Sequence, residues 1–377
     1  MLSLGGAYSP APRSHRALAI GVIGLPQSGK TTVFNAVTRG RAEVASFRAP
    51  GRQPNVGVVK VPDSRLDVLA EMSRSKRIVH AEVSYVDAPG AADGGIDGAY
   101  LNTLQQCEAL LLVARAFDDP SAPAPGGVVD PIRDAEETQT ELAFSDLLLL
   151  ERRAERIAKQ LRAAKTGERD ALTREAALVE RVRDALEAGV PVRRQSLDAG
   201  ERRILDNFQL LTAKPLMAVF DIGEEDVGKA EVEAALAERL AAPGVAAIAL
   251  CGKLEMELAQ MAPEDEAEFR ASLGAGEPGL DRMVRLCYRL LGLVSFLTTG
   301  EDETRAWTIP DGAPAVEAAG KIHSDIQRGF IRAEVTAYDD LMRVGGFVEA
   351  RRAGLLRQEG KQYPMRDGDV VNFLFNV

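Results

Sequence analysis

The order of apolar and polar positions divides the chain into three textures. Over 17–118 short apolar runs alternate with helical stretches, and strands are predicted at 18–23, 56–61, 83–87 and 110–114. Strands separated by helices imply a doubly wound sheet, covered on both faces. The stretch 120–129, full of Pro, Ala and Gly, reads as a linker. From about 136 to 188 charged residues dominate, and Leu150, Ala154, Ile157, Leu161 and Ala164 recur at alternating steps of four and three. That spacing draws a narrow apolar seam along one helix. A second seam, Leu172, Ala176, Val179, Val182 and Leu186, follows a break expected at Thr166 and Gly167. Two such helices can fold back on each other as an antiparallel, coiled-coil-like hairpin. The strand pattern then returns at 216–220 and 245–250, flanking a predicted helix at 229–240, so the hairpin is an insertion in one sheet. From about 294 the texture changes to short strands (305–309, 330–337 and 370–375) with small helices and Gly/Asp turns, a compact α+β module of its own.

The expected fold class is therefore α/β. Residues 17–132 and 206–293 are assigned to the sheet domain, 133–205 to the inserted hairpin and 294–377 to the C-terminal domain. Residues 1–16, rich in Gly, Pro and Ser, read as a disordered tail.

The chemistry concentrates where the first strand meets the first helix. Gly24-Leu25-Pro26-Gln27-Ser28-Gly29-Lys30-Thr31 satisfies the P-loop pattern, with an apolar strand before it and a helix expected at 32–38 after it. Small residues let successive backbone N–H groups turn inward around phosphate oxygens, and the positive end of the helix dipole adds to that field. Gly24, Pro26, Gln27, Ser28, Gly29, Lys30, Thr31 and Thr32 are thus candidate nucleotide-binding residues. Lys30 would bring a mobile charge to the β- and γ-phosphates, and the Thr31 hydroxyl is a hard oxygen ligand suited to Mg²⁺. Asp87-Ala-Pro-Gly90 closes a predicted strand, where Asp87 would serve Mg²⁺ and the Gly90 N–H would sense the γ-phosphate. Lys30, Thr31 and Gly90 are the expected catalytic group, with Gly94, Gly95 and Gly98 in a switch loop. Ala91 stands where many GTPases carry a water-orienting Gln, so hydrolysis should be slow or depend on another group.

Composition narrows the setting. A formal net charge of -10 argues against a sequence-independent grip on nucleic acid, which relies on Lys and Arg displacing phosphate counterions. Cys107, Cys251 and Cys287 are an odd number, widely spaced, and suggest neither a disulfide framework nor a zinc site; a reducing cytoplasm fits. The run 17–25 after Arg13 and Arg16 imitates a short signal peptide, but it leads straight into the P-loop and reads better as a buried strand. No apolar stretch reaches the roughly 18 residues of a membrane span. His15, His80 and His323 have no metal-ligand partner at helical or turn spacing, and Trp307 reads as core. Arg152, Arg153, Arg156, Lys159, Arg162 and Lys165 could form a basic strip on the hairpin, although Glu151, Glu155 and Glu168 favour a solvated, salt-bridged face.

Beyond these single motifs, the chain resembles the Obg-like ATPases of the YchF family over 20–377. The P-loop continues as Thr32-Val-Phe-Asn-Ala-Val-Thr38, and Gln53-Pro-Asn-Val-Gly-Val-Val59 is followed by Pro62-Asp-Ser-Arg-Leu66. The C-terminal signature is Arg305-Ala-Trp-Thr-Ile-Pro310, Ala319-Gly-Lys-Ile-His323, Gly329-Phe-Ile-Arg-Ala333 and Asp367-Gly-Asp-Val-Val-Asn-Phe-Leu-Phe-Asn-Val377. The resemblance implies a Ras-like P-loop NTPase domain carrying a helical hairpin and followed by a β-grasp (TGS) domain. It also implies ATP hydrolysis, often in preference to GTP, Mg²⁺ as cofactor, and binding to the ribosome or its large subunit. Neither a membrane nor sequence-specific DNA binding is implied.

Several positions depart from that family. Its base-reading Asn-x-x-Glu aligns with Asp221-Ile-Gly-Glu224, and a carboxylate accepts hydrogen bonds where an amide also donates. Glu224 keeps the family character and leans toward ATP. Cys251-Gly252-Lys253 falls where the second base-contacting loop belongs, so the Gly252 N–H is expected to help read the base. The family's switch Thr aligns with Gly51, leaving a water or Ser46 to complete the Mg²⁺ shell. Gln27 replaces an Asn linked to K⁺ dependence, so no potassium site is inferred. A second reading stays open at this point: a nucleotide-binding, ribosome-associated scaffold in which Gly51 and Ala91 leave turnover negligible.

Overall fold

The computed structural model describes residues 18–38, 54–87, 98–119, 124 and 127–376. They form two compact units, one drawn from 18–59 and 84–286, the other from 60–83 and 287–376. The strands are β1 Leu18–Ile23, β2 Asn55–Lys60, β3 Ile78–Val79, β4 Glu82–Asp87, β5 Ala109–Ala116, β6 Leu216–Ile222, β7 Val245–Leu250, β8 Leu293–Thr299, β9 Thr304–Pro310, β10 Phe330–Ala337, β11 Arg357–Glu359 and β12 Asp369–Phe375.

In the first unit six strands line up as β2-β4-β1-β5-β6-β7. The pairs β1/β5, β5/β6 and β6/β7 are parallel. β1, β5 and β6 are near-continuous apolar runs and almost wholly buried, as strands covered on both faces must be. Helices α1 (Lys30–Val37) and α3 (Gly98–Gln105) belong to this unit, while α2 (Arg65–Ser73) belongs to the second; Gly98, expected in a loop, opens α3.

The hairpin is made by α4 (Pro131–Ala163) and α5 (Thr166–Glu187), with α6 (Ala199–Asp206) leading back to the sheet. α4 begins where the Asp130 side chain accepts the N–H groups of Ile132 and Arg133 at 3.2 and 3.1 Å, with Pro131 at the first helical position. Leu150, Ile157, Leu178, Val179, Val182 and Leu186 are buried between the helices, with Ala154, Leu161, Leu172 and Ala176 packed against them. The break falls at Ala164 and Lys165, which are extended, rather than at Thr166 and Gly167, which form the first turn of α5. Arg153 closes a bidentate pair with Glu175 across the hairpin at 2.7 and 2.8 Å, so this member of the basic strip is neutralised.

Helices α7 (Ala230–Leu240), α8 (Gly252–Leu258), α9 (Pro263–Ser272) and α10 (Gly279–Leu290) complete the sheet region. In the second unit the strand order is β11-β10-β12-β8-β9-β3. β8 was hidden in the sequence because Leu293–Thr299 shows no clean alternation, its three central residues all being buried. Helix α11 (Ala315–Ile322) sets Ala315, Ala318 and Ala319 into a core with Phe296, Ile309, Phe330, Val335 and Phe373. Trp307 packs on that core, stacked on Phe296 with centroids 6.2 Å apart and covered by the Arg305 guanidinium at 4.2 Å. His323 accepts the Asp325 N–H through Nδ1, capping the short helix α12 (Ser324–Arg328).

Candidate functional site

β1, an interior strand, delivers the chain to the carboxyl end of the sheet, and the segment Gly24 to Gly29 turns it into α1. The turn is glycine-dependent at two points. Gly24 sits at φ +148, where a Cβ would come within 2.4 Å of the Val113 carbonyl oxygen. Gly29 caps α1 at φ +89, where a Cβ would lie 2.3 Å from Asp221 Oδ2. Gln27 is also left-handed, at φ 63. The Lys30 ammonium folds back on this loop and donates to the carbonyls of Gly24 and Leu25 at 2.7 and 2.6 Å. Ser28 is buried, and its hydroxyl has no hydrogen-bond partner among the described residues. A backbone cradle that excludes side-chain carbon, with an orphaned hydroxyl beneath it and a lysine across it, fits a phosphate chain.

Around the cradle stand two hard oxygen donors. Thr31 is exposed on the first turn of α1. Asp87 ends β4; burial pushes its carboxyl up from the ordinary range, while the charge of Lys30 and a hydrogen bond from Asn55 hold it down. Mg²⁺ beside a nucleotide takes one or two such protein ligands and otherwise phosphate and water, so this donor set fits it. Gly90, Ala91, Gly94, Gly95, Gly51 and Ser46 lie outside the described residues, as do 1–16 and most of the expected linker.

On the base side, Asp221 sits near the end of β6, buried and opposite Arg115 of β5 in register. Its Oδ1 accepts the Gly252 N–H at 2.8 Å. The N–H assigned from sequence to the base is therefore engaged by this carboxylate. Burial pushes Asp221 up to about 6, opposed by that hydrogen bond and by Arg115. Glu224, three residues on and exposed, pairs with Lys253 at 2.8 Å. Cys251 is buried, and burial pushes its thiol up, which makes it a poor nucleophile.

The structure adds a residue that no spacing announced. Glu141, on the third turn of α4, lies within electrostatic reach of Lys30; burial and Glu137 push its carboxyl up and Lys30 opposes them. Burial also raises the Tyr100 phenol, with Asp87 and Glu141 adding to the effect. The root of the hairpin thus reaches the cradle. Only a register of α4 fixed by its Asp130 cap could have pointed to Glu141.

With this geometry in hand, comparison with known proteins is direct. A family model described as 50S ribosome-binding GTPase matches residues 19–151, and the model of the C-terminal domain of YchF GTPases, described as a protein of unknown function, matches 293–376. A Bacillus subtilis (strain 168) protein named ribosome-binding ATPase YchF is 38% identical over 369 residues, covering 96% of this chain and all of the relative. The chain belongs to the YchF family. The Escherichia coli O157:H7 ribosome-binding ATPase YchF is likewise 38% identical, over 95% of this chain and 99% of its own length. The solved structure of the Schizosaccharomyces pombe YchF GTPase superposes with a TM-score of 0.85 at 30% identity, covering 98% of this chain and 100% of that one. A GTP-binding protein from Pyrococcus horikoshii shares the fold, with a TM-score of 0.60 at 18% identity. YchF membership carries with it the P-loop NTPase fold and the C-terminal domain expected from sequence. Among the described residues no helix is long and apolar enough to cross a membrane.

Proposed function

We propose that this protein is a Mg²⁺-dependent nucleoside triphosphatase of the cytoplasm that binds and slowly hydrolyses ATP. In this reading it docks on the ribosome or its large subunit as a nucleotide-controlled switch. The observation that carries it is the cradle itself: Gly24 and Gly29 hold conformations that leave no room for a Cβ, and Lys30 spans the loop between them. The names of the Bacillus and Escherichia relatives support ATP and the ribosome as partners.

In this reading Gly24, Pro26, Gln27, Ser28 and Gly29 enclose the phosphates, and Lys30 exchanges its carbonyl partners for phosphate oxygens. Thr31 and Asp87 would hold the magnesium ion, which supplies charge neutralisation at the phosphates when bound. Gly90 serves as γ-phosphate sensor. Thr32, Cys251, Gly252 and Lys253 flank the nucleotide, and Glu224 with Asp221 lines the base side. Glu at 224, where GTPases carry Asp, favours a 6-amino purine, with GTP as the weaker substrate.

The test is phosphate release from ATP and GTP, with and without ribosomes, for wild type and Lys30→Ala. Loss of turnover in the variant is expected; turnover that survives removes this loop as its source. The scaffold reading is favoured by Gly51 and Ala91, which offer neither a hydroxyl nor an amide. ATP that stays bound and intact for hours on ribosomes would select it.

A further inference from the structure

Asp221 occupies an unusual place for a carboxylate. It is 3% exposed, and its two oxygens face two different loops: Oδ1 accepts the Gly252 N–H at 2.8 Å, and Oδ2 lies against Gly29, 2.3 Å from where a Cβ would stand. A Cβ on Gly252 would in turn touch both Asp221 Oδ1 at 3.2 Å and Val33 of α1 at 3.3 Å. One side chain therefore packs against Gly29 at the head of α1 while it accepts a hydrogen bond from the start of α8. An amide, the residue type usual in the resembling family, could hold both loops without carrying charge. The carboxylate instead places a buried anion directly behind a loop shaped to receive an anion.

We propose that Asp221 is a positioning residue that ties the phosphate cradle to the base-side loop and takes up one proton when a nucleotide binds. The proposal rests on the reading of the P-loop as the nucleotide site. The proton comes from solvent and goes to Oδ2, leaving Oδ1 as the acceptor for Gly252, so the tie survives neutralisation. The charged groups around Asp221 set the balance. Arg115, its register partner on β5, favours the carboxylate, but its guanidinium is also spent on the Phe117 and Asp119 carbonyls. From the loop before α8, Cys251 is buried and Lys253 is held by Glu224. On the P-loop, the Lys30 ammonium is turned to the Gly24 and Leu25 carbonyls. Phosphates drawn to Lys30 would add negative charge on the far side of Gly29, and burial already favours the neutral acid. By linkage, a site whose proton affinity rises on binding makes ligand affinity fall as pH rises.

The test is calorimetry of the full chain with Mg-ADP in buffers of different ionisation enthalpy, comparing wild type with Asp221→Asn. The ligand's own protons cancel in the difference. Wild type is expected to take up about half a proton more than the variant near pH 6.5, and to lose affinity relative to it by about tenfold between pH 6 and pH 8, the scale of one charge pair in a partly screened interior. Equal proton uptake and parallel pH profiles overturn the proposal while leaving the P-loop reading intact. If neither protein binds ADP or ATP, the P-loop reading itself fails. A measurement on wild type alone guards against misfolding of the variant. In aspartate labelled with carbon-13 at the carboxyl, the Asp221 resonance should titrate at higher pH with Mg-ADP than without it, and an unmoved titration overturns the proposal.

Discussion

The Asp146 carboxylate on α4 accepts both the N–H and the hydroxyl of Thr212, at 2.8 and 2.7 Å. The same carboxylate takes the Leu211 N–H at 2.8 Å. The chain returning from the hairpin is thereby bound to its outgoing helix immediately before β6, the strand that carries Asp221. Replacing Asp146 by Ala would strand two buried N–H groups and a hydroxyl. We expect a loss of about 2–4 kcal/mol, because unmet buried donors forfeit their solvation without compensation. Urea unfolding followed by circular dichroism measures it, and a loss below the error of the midpoint would show that water replaces the carboxylate there.

The same carboxyl has a pH signature. Its unfolded value is 3.8, and burial pushes it up to about 6 in the fold despite the three hydrogen bonds and Lys214. Between these values the folded state keeps a proton that the unfolded state has released. Its contribution to stability is therefore greatest below the unfolded value and is lost as pH rises through about 6. The stability difference between wild type and Asp146→Ala should shrink across that window by roughly 1–3 kcal/mol. A difference that stays constant from the acid to the neutral side would mean that Asp146 titrates normally.

Much of this architecture could be read in advance, for physical reasons that differ by element. The P-loop was legible because phosphate binding demands small residues at fixed spacing between a strand and a helix, and Gly24 and Gly29 are held by Val113 and Asp221 as that demand requires. The hairpin seam was legible because Leu150, Ile157, Val179, Val182 and Leu186 recur at heptad-like spacing and are buried in one cluster. Short elements were not. β3 has two residues and exists because Ile78 and Val79 pair with Thr304 and Arg305, a partnership that no local pattern encodes. Glu141 was invisible for the same reason: its relation to Lys30 is made by tertiary packing. Motifs at 62–66 and 367–377 were recognised separately, yet only the fold shows that Arg65 and Asp367 meet.

That meeting supports a prediction. Arg65 donates to Asp63 through Nε and Nη2, both at 2.8 Å, and to Asp367 through Nη1 at 2.8 Å, while Asp367 also accepts the Ser295 N–H at 2.9 Å. Arg65 thus fixes the start of α2 to the turn before β12 within the second unit. The half-exposed Asp367 side of the clasp is screened, but Asp63 is only 9% exposed and would lose its bidentate partner, so Arg65→Met should cost about 2–3 kcal/mol. The larger effect is expected in local protection. Amide exchange at Leu66 and Ser295 should quicken more than exchange in α11, and a uniform change across the unit would argue against a local clasp.

Gly29→Ala probes the cradle without removing any charge. An alanine there must hold φ +89 and displace Asp221 Oδ2 from 2.3 Å, so either the loop or the tie to Gly252 must open. Backbone strain alone costs about 1–2 kcal/mol, and the larger loss should appear in nucleotide affinity, on the order of a hundredfold. Calorimetry with Mg-ATP decides. Unchanged affinity in a protein of lowered stability would mean that Gly29 serves the fold and not the ligand.

The ion pair between Glu255 on α8 and Arg270 on α9 offers a different test, because it holds the base-side helix rather than the ligand. Arg270 reaches Glu255 through both terminal nitrogens, at 2.9 and 2.7 Å, and Glu266 through Nε at 2.9 Å; Glu255 also accepts the Gly279 N–H at 3.0 Å. Both side chains are under a tenth exposed. Removing one partner leaves the other charge buried, so Arg270→Met should cost about 3–5 kcal/mol, whereas Arg270→Met with Glu255→Leu should regain most of it. If the single variant is as stable as wild type, water must reach Glu255, and the helix after the base-side loop is less firmly seated than its hydrogen bonds imply.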